Sequence, residues 1–173
     1  MKKFELTSEF ITNVLGTKLF RIKALVEFGD VSAGELGGYI EKEGNLSQDG
    51  SAWVSGNARV YGNAWVYGNA WVSDDAEVSG NARVSGNAWV SGNADYATAK
   101  GFGSVFRTTT FFRTKDKAIG VKCGCFYGTL EEFRDKVRET HGDSKTAKEY
   151  LMLADLMEYK FSCEMDVEEE VNQ

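Results

Sequence analysis

Small and apolar residues recur at a fixed interval of six through the middle of the chain. Valine stands at positions 54, 60, 66, 72, 78, 84 and 90, with Tyr96 in the next slot, and alanine at 52, 58, 64, 70, 76, 82, 88 and 94. Between each valine and the next alanine lie Ser or Tyr, then Gly, then Asn, with Asp74-Asp75 replacing Gly-Asn once. The stretch 51–98 is one six-residue phrase repeated eight times. A fixed period dictates architecture before any local propensity does. Six residues are too few for a helix pair or a propeller blade, and suit the short strands of a β-helix. In that reading valine fills the interior and alanine sits where the wall bends inward. Gly-Asn takes the corner, because both residues tolerate a left-handed backbone.

The flanks follow other patterns. Residues 2–10 and 17–27 alternate apolar and polar positions, which predicts two strands joined by a turn at Asn13–Gly16. Residues 28–50 are rich in Gly and turn formers, yet Ile40, Leu46 and Ala52 are six apart, so this segment is expected to form an irregular first coil that caps the repeat. Beyond the repeat, Phe106 to Arg113 and Ala118 to Phe126 predict a second hairpin around a turn at Lys115–Lys117. Thr129 and Glu132 form a capping box. Leu130, Phe133 and Val137 then make a helical stripe ending near His141-Gly142. Asp143 or Ser144 caps a second helix with Ala147, Tyr150, Leu151, Ala154, Met157 and Phe161 on its inner face. The expected organisation is a cap at 1–50, the repeat at 51–98, a hairpin with two helices at 99–163, and a loose acidic tail at 164–173.

The phrases V-S-G-N-A-R, V-Y-G-N-A-W and V-S-G-N-A-W resemble the hexapeptide repeat of left-handed parallel β-helices. With these flanks they also resemble hexapeptide-repeat proteins of bacteriophages and prophages. The resemblance implies a mainly β fold: a short left-handed parallel β-helix of about 2.5–3 coils, an N-terminal hairpin cap and a C-terminal α+β module. It further implies triangular coils of eighteen residues, so residues eighteen apart stack at the ~4.8 Å strand spacing. The outward residue before each valine then sorts into three faces. Trp53, Trp71 and Trp89 share one face; Arg59, Glu77 and Asp95 the second; Trp65 and Arg83 the third, as a candidate cation–π pair. The open ends of such a stack need covering.

Composition narrows the chemistry. The net charge is −6 and proline is absent. No apolar run reaches the ~20 residues of a membrane helix, and the N-terminus lacks the features of a signal peptide, so no membrane partner and a cytoplasmic setting in a host bacterium are expected. Arg107, Arg113, Lys115, Lys117 and Lys122, interleaved with Phe106, Phe111 and Phe112, make a basic hairpin with the look of a nucleic-acid surface. The acidic chain, of pI about 4.9, disfavours nucleic acid as partner, and the acidic helices offer these cations an internal match. Three cysteines do not make a disulfide framework. Cys123 and Cys125, on one face if they lie in a strand, together with His141 and Cys163 form a weak four-ligand zinc candidate with atypical spacing; buried reduced thiols are the simpler reading.

Hexapeptide acyltransferases use a histidine in or beside the β-helix, and this repeat has none. No nucleophile triad, phosphate loop or dinucleotide motif is present either. The sequence therefore points to a non-enzymatic protein without cofactor. A wall made by Trp53, Trp71, Trp89, Trp65 and Arg83 serves either oligomerisation, as a homodimer or trimer, or recognition. A host or phage protein is the expected partner, and inhibition of a bacterial antiviral-defence component the expected role. A hexapeptide-type acyltransferase with another base, and a structural or carbohydrate-binding particle component, are the alternatives.

Overall fold

The computed structural model describes residues 1–170, with side chains through Ser162. The chain divides into two compact units, Met1–Asn93 and Ala94–Gln173.

In the first unit, β1 (Phe4–Thr12) and β2 (Lys18–Ala24) pair antiparallel. Their turn is the one expected: Asn13 Oδ1 accepts from the amides of Leu15 and Thr17 at 3.0 and 2.9 Å. β3 (Leu36–Ile40) pairs antiparallel with β2. Seven two-residue strands follow: β4 (Trp53–Val54), β5 (Arg59–Val60), β6 (Trp65–Val66), β7 (Trp71–Val72), β8 (Glu77–Val78), β9 (Arg83–Val84) and β10 (Trp89–Val90). They pair in parallel with strands eighteen residues away: Trp53 with Trp71, Trp71 with Trp89, Arg59 with Glu77, Trp65 with Arg83. The seven valines and the alanines from Ala52 to Ala88 are all buried. The corners stack too. Asn57 Nδ2 donates to Asp75 Oδ1 at 3.3 Å and Asn63 Nδ2 to Asn81 Oδ1 at 3.3 Å. Asp74 holds φ +54° in a slot that is otherwise glycine, which identifies it as a turn former.

The leading edge of the stack is covered by residues 1–50. β3 continues it in parallel with β5, Tyr39 opposite Arg59, and Leu46 bridges to Val66. Where no strand continues the stack, side chains do. Asn45 Nδ2 donates to Ala64 O and Gly62 O at 2.8 and 3.2 Å. Glu41 Oε2 accepts from the Gly62 amide at 2.6 Å. Lys3 Nζ donates to Ala52 O and Gly50 O at 2.8 and 3.4 Å. Backbone groups that a further coil would satisfy thus find polar partners.

The second unit departs from the expected hairpin. β11 (Tyr96–Ala99), β12 (Thr109–Arg113), β13 (Ile119–Cys123) and β14 (Phe126–Thr129) form a four-stranded antiparallel meander in that order. The eighth phrase leaves the repeat: Asn93–Asp95 is a single 3₁₀ turn, Ala94 is exposed, and Tyr96 opens a strand paired with β12. A tyrosine does not fit the slot that valine fills elsewhere. Cys123-Gly124-Cys125 is likewise a turn rather than one strand, with Gly124 at φ +57°, so the two thiols do not share a strand face. α1 (Leu130–His141) begins with the expected capping box and ends at Gly142, whose amide donates to Arg138 O. α2 (Lys145–Glu170) is capped by Ser144 Oγ, which accepts from the Ala147 amide at 3.2 Å. Both helices pack on the sheet around Phe111, Val121, Phe133, Ala154 and Phe161. Arg134, buried between the helices, donates to Glu158 at 2.6 Å, to Asp155 at 2.9 Å and to Glu131. These carboxylates, Glu158 foremost, raise its pKa and keep it charged despite burial. The side chains of the acidic tail at 164–173 lie outside the described residues.

Candidate functional site

The outward faces of the repeat carry the first candidate. Trp71 and Trp89 stack with ring centroids 5.9 Å apart and planes inclined by 14°. Trp71 is half-buried, while Trp89 remains 40% exposed. Trp53 stands in the same register but is fully buried, so it is not part of an exposed wall. Phe28 packs edge-on against its ring at 5.4 Å, and Gly37 passes so close that a β-carbon there would lie 2.7 Å from the indole. The cap takes the first tryptophan into the core and leaves Trp71 half-buried and Trp89 exposed on the outer face. On the third face Trp65 stacks on Tyr67 at 4.1 Å, and the Arg83 guanidinium lies 5.2 Å from the Trp65 ring. The expected cation–π contact is present. Tyr67 was not singled out by sequence, although the Ser/Tyr slot varies and signalled it. The second face is neutralised internally: Arg59 lies 3.9 Å from Glu77, and Tyr61 hydrogen-bonds Glu77.

The second candidate is a cleft of about 270 Å³ in the C-terminal unit. It gathers Cys123 from the end of β13, His141 from the end of α1, Tyr150 from α2 and Arg107 from the loop before β12. Two of the four suggested zinc ligands, Cys123 and His141, therefore meet at one cleft. Cys125 is exposed on the neighbouring turn, Cys163 lies outside the described side chains, and no group of three or more potential metal ligands occurs among the described residues. The Cys123 Sγ accepts from Thr109 Oγ1 at 3.2 Å. Burial pushes the Tyr150 phenol up to about 12, with Cys123 and Glu149 adding to the shift and Arg107 opposing it, so Tyr150 stays a neutral hydroxyl at pH 7. The basic hairpin does not form an aromatic platform: Phe111 and Phe112 are buried. Arg113 turns inward, donating to Phe161 O at 2.6 Å and lying 3.5 Å from Asp95.

The stacked two-residue strands and their eighteen-residue register define a repeat β-solenoid. Residues 52–68 and 76–92 match the family model described as the YdcK β-solenoid repeat. A comparison with curated proteins finds no match. No helix among the described residues is long and apolar enough to cross a membrane.

Proposed function

We propose that this chain is a non-enzymatic binding protein that holds a protein partner on the aromatic faces of a left-handed β-helix. The observation that carries this reading is the Trp71–Trp89 stack: a rigid aromatic pair on a wall of two-residue strands, with Trp89 40% exposed. Tryptophan and arginine are the residue types that most often anchor protein interfaces, and Trp65 with Arg83 repeats the theme on the next face. The resemblance to phage hexapeptide-repeat proteins supports a bacterial host protein, an antiviral-defence component met in the cytoplasm, as that partner. The acidic chain suits a basic binding surface.

The protein acts as a homodimer in this proposal. α2 presents Met152, Leu156 and Tyr159, each more than half exposed, at a spacing of four and three residues, which is one helical stripe. Two copies of α2 packed through this stripe would cover three large side chains that a monomer leaves to water.

Affinity capture from a bacterial lysate with the full chain, beside the Trp89→Ala and Arg83→Ala variants, tests the binding reading. One host protein retained by the wild type and lost by both variants is the expected result. Retention of the same proteins by all three would overturn it. Saturable binding of an acyl-CoA or of a glycan, with no protein captured, would favour the acyltransferase or particle-component alternative.

A further inference from the structure

The cleft of the C-terminal unit is not used by the wall reading, and its chemistry is one-sided. Arg107, Lys136 and His141 line it, and no carboxylate is among its described lining residues. Lys136 shares its ammonium with Glu139 at 2.8 Å, whereas Arg107 has no carboxylate partner among the described residues. Aromatic rings supply much of the remaining wall. Phe133 is buried at the core side, and Phe126, Tyr150 and His141 stand around it.

Two glycines make room for this arrangement. A β-carbon on Gly124 would lie 1.7 Å from Arg107 Nη1, and one on Gly103 would lie 2.1 Å from the Tyr150 hydroxyl. Both glycines have positive φ, +57° and +75°, so the turns that carry them also clear space for the guanidinium and the phenol. The loop that delivers Arg107 is strained at its tip, where Phe106 holds φ +50°. A bulky residue in that region is uncommon. Val105 and Phe106 are exposed on this loop, 57% and 66%, beside the cations.

We propose that this cleft binds a small phosphate monoester of a planar ring, the class that includes aryl phosphates and mononucleotides. A guanidinium matches phosphate oxygens in bidentate fashion and is the preferred cation for that task. Lys136 and His141 add donors for a second charge. Phe126 and His141, the partly exposed rings of the cleft, are the ones on which a planar group would stack. The volume of about 270 Å³ lies at the low end for ligand clefts, which selects a single ring system over a long chain.

Isothermal titration of the full chain with AMP, phenyl phosphate, inorganic phosphate and benzoate tests this. One saturable site for AMP or phenyl phosphate is expected, with inorganic phosphate and benzoate at least tenfold weaker. Arg107→Ala should weaken the organic phosphate at least tenfold, and Trp89→Ala should leave it unchanged, which separates this site from the wall. If Arg107→Ala lowers the melting midpoint, Lys136→Ala, at an exposed position of α1, replaces it, with roughly fivefold weakening expected. No saturable binding of either organic phosphate, or binding indifferent to both substitutions, overturns the proposal. Benzoate binding as tightly as phenyl phosphate overturns the phosphate class.

Discussion

Removing the side-chain amide of Asn45 should unravel the solenoid from its leading edge. Asn45 is fully buried. Its Nδ2 donates to Ala64 O at 2.8 Å and Gly62 O at 3.2 Å, and its Oδ1 accepts from the Lys42 amide at 3.0 Å. Asn45→Ala leaves the Ala64 carbonyl buried without a donor, which costs about 1–3 kcal/mol. The Gly62 carbonyl and Lys42 amide are only part-buried, so water offsets some of their loss, and each adds about 0.5 kcal/mol. The expected total is about 3 kcal/mol, a large fraction of a stability of roughly 5–15 kcal/mol. Asn45→Asp has the same shape and separates hydrogen bonding from packing. At pH 7 its second carboxylate oxygen faces two carbonyl oxygens, so it should destabilise more than alanine does. Below its pKa the protonated oxygen donates again and the deficit narrows. Urea unfolding followed by tryptophan fluorescence reads this directly, because all four tryptophans lie in the N-terminal unit. A loss under about 0.5 kcal/mol for Asn45→Ala, or an Asn45→Asp variant as stable as wild type at pH 7, would refute the capping argument.

Lys3, 4% exposed, has its ammonium pKa pulled from 10.5 to about 8 by burial, with Asp49 opposing. Between those values the unfolded chain binds a proton that the folded chain does not, so this contribution raises stability as pH climbs from about 8 to 10.5. Wild type should gain on Lys3→Met over that window, by at most about 3 kcal/mol, in paired urea titrations; a constant difference would show that Lys3 does not titrate in the fold. Leu156→Lys, at an exposed position, should convert a dimer into a 19.1 kDa monomer by light scattering while the far-UV circular dichroism spectrum stays that of the wild type. A monomeric wild type, or a variant that stays dimeric, removes α2 as the dimer surface.

Much of the first unit is written in its sequence because its period is. Valine and alanine can be assigned to the interior, and Gly-Asn to corners, without reference to anything distant, and the eighteen-residue register follows once coils stack. The fate of Trp53 was not legible. It shares Ala-Trp-Val-Ser-Gly with Trp89, and the passage of Phe28 and Gly37 over its ring distinguishes a core residue from a surface one. The eighth phrase misled for a related reason: it keeps the turn residues and the alanine, while Tyr96 in place of valine ends the pattern. The glycine between Cys123 and Cys125 was a visible sign of a turn. The cleft had no such sign. Arg107, Cys123, His141 and Tyr150 come from four elements at unrelated spacings, and the meander between the repeat and α1 brings them together.

In the proposed function the Trp71–Trp89 pair carries partner recognition. The most direct test is the affinity of the captured partner for wild type and for Trp89→Ala, measured side by side with the melting midpoint of each. An interface anchor contributes at least about 2 kcal/mol, so about 30-fold weaker binding is expected of a variant that remains folded. Equal affinity of the two proteins would contradict it.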